Sequence, residues 1–167
     1  MVQTLRHRGP DGDGFRMDGA IGLGHARLSI IDIAGGAQPI HNEDKTVWVV
    51  FNGEIFNYIE LRELLKRKGH RFYTNSDTEV IVHLYEQYGT GFVQHLNGQF
   101  AIALWDQNLR QLILCRDRAG VLPLFFSEQQ GRLLFASEIK ALLPVMGHTP
   151  ALNPVALDQV MTFWSTV

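Results

Sequence analysis

The sequence is poor in thiols, in charge imbalance and in long apolar runs. A single cysteine, Cys115, stands among 167 residues. No intrachain disulfide can form, and a reducing compartment is expected. The formal net charge is -2, with the signs interspersed. No basic face stands out, which argues against nucleic acid as the main partner. No apolar run approaches the roughly 18 residues needed to span a membrane. The opening stretch, MVQTLRHRGPDGDG, has no apolar core of a signal peptide. Neither membrane nor export is indicated, and a cytoplasmic location is expected. No G-x-x-x-x-G-K-[ST] occurs. "GLGHAR" offers a G-x-G but neither a third glycine nor a following long helix, so a dinucleotide site is not expected. The seven histidines are scattered without metal-ligand spacing, which predicts no zinc site. His25 and His83 read as structural.

What is present is a chain of one-domain length, 46% apolar and 19% charged, enough for a sizeable core and against global disorder. "GPDGDG" (9–14) is a turn cluster. Residues 20–32 read as one or two strands, and 34–45 as a loop. "TVWVVF" (46–51) is apolar on both alternating faces, so both should be covered. "FNYIELRELLKRKG" carries Ile59, Leu61, Leu64 and Leu65 at helical spacing and stops at Gly69. A second helix, 76–89, opens on Ser76 and Glu79, the pattern of a capping box. "GFVQHLNG" adds a short helix. Strands follow at 99–106, 111–117, 122–128 and 132–138, with Asn108, Gly120 and Gly131 at their turns. In the first of these, Phe100, Ile102 and Leu104 point one way, and Ala101, Ala103 and Trp105 the other. Two short helices close the chain, the second with an Asn-Pro start. This order is not strict β-α alternation. It indicates an α+β fold, with layered antiparallel sheets and helices outside.

Three places carry candidate chemistry. Cys115 is followed by Arg116 and Arg118, which would stabilise a thiolate. It lies in an alternating strand, however, where cysteine is normally buried and inert. "HRGPDGDG" packs His7, Arg8 and Asp11 around a turn. "VWVVFNGEIFNY" (47–58) runs an apolar strand into Asn52-Gly53-Glu54. The simple reading is a strand-to-helix turn, with Gly53 supplying an unusual backbone angle. The functional reading is an oxyanion hole, with an asparagine amide and a glycine N–H donating to one oxygen.

Taken together, "HRGPDG" (7–12), "GHARLSIID" (24–32), "GGAQPI" (35–40), "FNGEIFNY" (51–58), "SDTEVI" (76–81), "LNGQFAIALWD" (96–106), "RDRAGVLPLFF" (116–126) and "FASEIKALL" (135–143) resemble one family. It is the glutaminase domain of glutamine-hydrolysing asparagine synthetase, a class II glutamine amidotransferase. The resemblance spans nearly all of residues 1–167. It implies the four-layer αββα fold of N-terminal-nucleophile hydrolases. It also implies a domain that releases ammonia from L-glutamine for ATP-dependent amidation of aspartate elsewhere in the full-length enzyme. By position, Arg27 matches the anchor of the glutamine α-carboxylate, and Leu28, Ser29, Ile30 and Ile31 the backbone lining the pocket. Asp77 matches the α-ammonium anchor, Glu54 a further glutamine contact, and Asn52 and Gly53 the oxyanion hole. No metal or cofactor is implied in this domain. ATP and magnesium belong to the synthetase domain.

The sequence departs from the family in three ways. The family's nucleophile is an amino-terminal cysteine, whereas this chain opens Met1-Val2-Gln3 and lacks the Cys-Gly-Ile strand. The synthetase domain is absent after "MTFWSTV". Leu122 stands where the family usually carries lysine. Taken as given, the chain is expected to be inactive. A truncated sequence, a degenerate paralogue and a nucleophile supplied by a separate piece all fit; the intact set of pocket residues favours truncation. Loss of a first strand would expose a sheet edge, so a homo-oligomer is considered. The alternatives are a non-catalytic amino-acid-binding or interaction module and the domain of another class II enzyme.

Overall fold

The computed structural model describes residues 1–148 and 150–164. Its centre is an antiparallel sheet in the order β3 (Ile40–His41), β4 (Val47–Ile55), β5 (Gly98–Asp106) and β6 (Gln111–Arg116). Strand alternation divides β4 between two layers. Val47, Val49, Phe51 and Ile55 join Phe100, Ile102 and Leu104 of β5 in one core. Two helices cover that face: α1 (Tyr58–Arg67) through Leu61 and Leu65, and α2 (Glu79–Tyr88) through Val80, Ile81, Leu84 and Tyr85. Phe92, from a 3-10 stretch at Gly89–His95, completes it. On the opposite face Val50, Ala103 and Trp105 pack on Leu23 of β2 (Ile21–Arg27). There the hairpin of β1 (Gly12–Asp18) with β2 and that of β7 (Phe125–Gln129) with β8 (Arg132–Ala136) form the second β layer. Beyond it lies α3 (Ile139–Met146), which buries Ala141 and Leu142 against Leu5 and Leu134. Helix, sheet, paired hairpins and helix give the four layers expected.

β5 is buried along Phe100–Asp106, as its two-sided apolar pattern requires. The last helix, α4 (Pro154–Phe163), starts as predicted. Asn153 Oδ1 accepts from the N–H groups of Val155 and Ala156, and proline occupies the first turn.

Several local expectations are corrected. The turn cluster is shorter than its composition suggests, because β1 already begins at Gly12 and pairs with Arg27. Residues 20–32 hold one strand, and the expected loop contains β3. Ile59 is exposed, so the buried stripe of α1 is narrower than predicted. The capping box does not form. Glu79 instead reaches further back and accepts from the N–H groups of Tyr73 and Thr74 and from the Thr74 hydroxyl, at 2.6–2.8 Å. Finally, β4 does not end at Asn52. It runs on to Ile55, with Asn52 opposite Ala101 and Gly53 opposite Phe100.

Candidate active site

The continuation of β4 builds the site. Trp48, Val50, Asn52 and Glu54 share the face that looks at the second β layer. Above Asn52 and Glu54 that layer gives way to a cavity of about 200 Å³. Its wall gathers Arg27, Leu28, Ile30, Ile31, Asn52, Gly53, Glu54 and Asp77 from three separate parts of the chain. Ser29, expected with its neighbours, is not in the wall. Its N–H donates instead to the Asp11 carboxylate at 2.8 Å, which ties the loop after β2 to the start of β1.

Asn52 Nδ2 is buried and has no hydrogen-bond partner among the described residues. Leaving such a donor unpaired costs about 1–3 kcal/mol, so it calls for a functional explanation. Gly53 explains itself sterically. Its φ is +146°, and a Cβ there would lie 2.0 Å from the Gln99 carbonyl oxygen. The glycine is therefore required by the close approach of β5, not by a turn. Pairing also fixes where its N–H points. The Phe100 main chain faces β6, exchanging bonds with Asp117, so Gly53 and Phe100 form a pair without mutual hydrogen bonds. The Gly53 N–H therefore lies on the outer edge of β4. On that edge the Phe51 N–H donates to Gln38 Oε1 at 2.6 Å and the Ile55 N–H to Asp77 Oδ2 at 3.0 Å. The Gly53 amide lies between these two anchored neighbours.

The wall carries charge of both signs. The Arg27 guanidinium donates to the Ile33 carbonyl at 2.9 Å and the Asp32 carbonyl at 2.7 Å. These two bonds fix its plane and use two of its five donors. Gly36 makes room for it, since a Cβ there would meet Arg27 Nη2 at 3.1 Å. Asp77 is buried; burial raises its pKa above the ordinary aspartate value, against the Ile55 N–H and Ser76 hydroxyl that stabilise the carboxylate. A cation beside it would restore full ionisation.

The lining also includes residues that sequence reasoning did not pick out as site elements, Gln38 and His25 among them. Gln38, at the cis Gln38-Pro39 bond, pairs with the Phe51 main chain through both ends of its amide, with Nε2 donating to the Phe51 carbonyl at 3.0 Å. It takes the place of a neighbouring strand where β3 has ended. His25 also lines the cavity, and burial with the nearby Arg27 charge lowers its pKa to about 4, so it is neutral. No local spacing marks either residue. Cys115 packs on the core beside Ile102, and burial pushes its thiol up to about 12. It lies in the wall of neither this cavity nor the adjoining one, in keeping with the inert reading.

The adjoining cavity, about 350 Å³, lies between the two hairpins of the second layer. Leu23 and Gly24 of β2 and Leu134 and Phe135 of β8 form its sides, and Val50, Ala101 and Ala103 its floor. Asn52 and His25 border both cavities.

Residues 1–167 match the sequence model of the glutamine amidotransferase domain family. The chain is 45% identical over 163 residues to glutamine-hydrolyzing asparagine synthetase 1 of Bacillus subtilis (strain 168), covering 98% of this chain and 26% of that protein. It is 50% identical over 143 residues to glutamine-hydrolyzing asparagine synthetase 2 of Arabidopsis thaliana, covering 85% and 24%. It is 45% identical over 143 residues to the amidase chyE of Penicillium rubens, covering 85% and 21%. The chain thus spans about a quarter of the length of the curated relatives it matches. Among solved structures, the glutamine phosphoribosylpyrophosphate amidotransferase of B. subtilis superposes with a TM-score of 0.70 at 23% identity. The match covers 84% of this chain and 38% of that one, and shows a shared fold.

Proposed function

The chain belongs to the glutamine amidotransferase domain family, and from that membership we propose that its cavity binds L-glutamine and directs the side-chain amide to an oxyanion hole. The unpartnered Nδ2 of Asn52 carries this reading. With the Gly53 N–H on the same stretch of β4, it offers two fixed donors to one developing oxygen anion. Preorganised donors of this kind act without reorganisation when charge appears. The rest of the wall suits a zwitterionic amino acid. Arg27, held in plane by two carbonyls, takes the α-carboxylate; Asp77, with Glu54, takes the α-ammonium. Leu28, Ile30 and Ile31 supply the backbone and apolar wall along the substrate, and Ser29 holds their loop to Asp11.

Attack on the amide carbon requires a nucleophile, and among the described residues no thiol lines the cavity. An extended segment seated in the apolar slot between β2 and β8 would deliver one beside Asn52. It would also join the two hairpins into one sheet, which makes that slot the natural seat of a cysteine-bearing first strand. In a longer protein the released ammonia would serve ATP- and magnesium-dependent amidation of aspartate in a separate synthetase domain, with a cytoplasmic setting expected.

The test is calorimetry of residues 1–167 with L-glutamine, alongside an ammonia-release assay. Saturable binding of L-glutamine is expected, lost in Arg27→Ala and Asp77→Ala, with no ammonia released. Failure of L-glutamine to bind would overturn the pocket assignment. Turnover that survives Cys115→Ala would overturn the requirement for an added nucleophile.

A further inference from the structure

Far from the cavity, the fold gathers four side chains that sequence spacing leaves unrelated. Glu43 lies in the loop between β3 and β4. His70 follows α1, and His83 and Glu86 lie one turn apart on α2. One ligand atom from each falls within 4.8 Å of the others. None of the four lines the glutamine cavity.

We propose that Glu43, His70, His83 and Glu86 form a structural binding site for a divalent transition-metal ion of the zinc class. The cluster has the spacing of a metal site. His83 Nδ1 is 2.9 Å from Glu86 Oε2 and 3.4 Å from Glu43 Oε2. His70 Nδ1 is 3.5 Å from Glu86 Oε2 and 3.6 Å from Glu43 Oε1. Three of these four separations exceed the ordinary N–H···O range of about 2.7–3.2 Å. The four scatter around the edge, about 3.3–3.4 Å, of a tetrahedron with bonds of about 2.0–2.1 Å. Glu43 turns a different oxygen to each histidine, so a bound ion would draw the four ligands slightly inward.

The ligands are also held in place from behind. Glu86 Oε1 accepts from Asn42 Nδ2 at 2.8 Å, and Glu43 Oε1 from the Arg71 N–H at 2.7 Å. His83 is fully buried, and its Nε2 lies 3.6 Å from Glu79 Oε1. Glu79 is itself fixed by Tyr73 and Thr74. His83 Nε2 is buried without a hydrogen-bond partner among the described residues; with an ion on Nδ1 it would carry the ring proton and face the Glu79 carboxylate, the usual support of a metal-ligating histidine. A bound ion would displace the proton shared between His83 Nδ1 and Glu86; the two carboxylates would then balance a dication, and imidazole ligation favours zinc-like ions over calcium or magnesium. Such an ion would clamp the β3–β4 loop, α2 and the segment after α1 that leads to Asp77.

The experiment is calorimetric titration of zinc chloride into chelator-treated residues 1–167, repeated with cobalt chloride under visible spectroscopy. One equivalent should bind with a raised Tm, and cobalt should give the visible bands of a tetrahedral centre. Asn42→Ala should weaken binding about tenfold or more. His70→Gln and Glu43→Gln should each abolish the stoichiometric phase, whereas His148→Gln should not. Glu43 is partly exposed, so Glu43→Gln decides the matter if the histidine variant misfolds by circular dichroism. Absence of saturable one-to-one binding, or its retention in folded Glu43→Gln, would overturn the proposal.

Discussion

Replacing Gly53 by alanine tests the close main-chain contact of β4 and β5 at the proposed oxyanion hole. Two costs add. A non-glycine residue at φ +146° carries backbone strain of about 1–3 kcal/mol. The new Cβ would also sit 2.0 Å from the Gln99 carbonyl oxygen and 2.8 Å from Phe100 Cα, and relieving such overpacking costs about 1–3 kcal/mol. The sum, about 4 kcal/mol, is a large share of the roughly 5–15 kcal/mol that holds a domain together. With a urea m-value of about 2 kcal/mol/M, the unfolding midpoint should fall by about 2 M. Two glycines separate the terms. Gly69 has φ +102° and nothing within 4 Å of a built Cβ, so Gly69→Ala reports strain alone. Gly12 has neither strain nor neighbours, so Gly12→Ala should be near neutral. Urea melts followed by circular dichroism would compare all three. A Gly53→Ala midpoint no lower than that of Gly69→Ala would refute the close approach.

Other outcomes follow from the site and core. Affinity for L-glutamine should weaken on acidification, because the ammonium requires ionised Asp77 and burial raises that carboxyl's pKa. The loss should begin above the ordinary aspartate range and approach about tenfold per pH unit; calorimetry of the parent chain from pH 7 to pH 4 should find this limb, and an affinity unchanged over that range would refute the role of Asp77. In a form of the domain that carries its nucleophile, Asn52→Ala should cut kcat for glutamine about 10²–10³-fold with a small change in KM. A matched loss confined to KM would count against the oxyanion role. Tyr85→Phe removes the hydroxyl that donates to the buried Asp106 carboxylate at 2.8 Å. The cost should be about 2 kcal/mol, read by calorimetric melting as a Tm about 4–8 °C lower.

Layering was legible in the sequence because strand alternation and helical spacing are local. The two-sided apolar pattern of 100–105 correctly placed β5 between cores, and Asn153-Pro154 placed the start of α4. Features set by pairing at a distance were not legible. Asn52-Gly53 looks like a turn, yet β5 holds it in a strand, where packing overrides local propensity. Ser76 and Glu79 have capping-box spacing, but the amides of Tyr73 and Thr74 compete successfully for the Glu79 carboxylate. The family resemblance brought Arg27, Asn52, Gly53, Glu54 and Asp77 to attention, and the fold gathers them on one wall. Gln38 went unnoticed because its role is to satisfy a backbone 13 residues away. The Glu43, His70, His83 and Glu86 cluster went unnoticed because three chain segments supply it.

The outer edge of β4 also acts as a ruler. Successive amides on one edge of a strand are about 7 Å apart, and this edge ends at the Ile55 N–H, where Asp77 is held. In the proposed binding mode, one strand repeat therefore separates the Gly53 donor, at the amide end of L-glutamine, from the carboxylate at its ammonium end. Side-chain length is measured against covalent backbone geometry, which cannot stretch to accommodate a shorter amino acid. That binding mode therefore predicts discrimination against L-asparagine, one methylene shorter than L-glutamine, which would reach one end of the interval or the other.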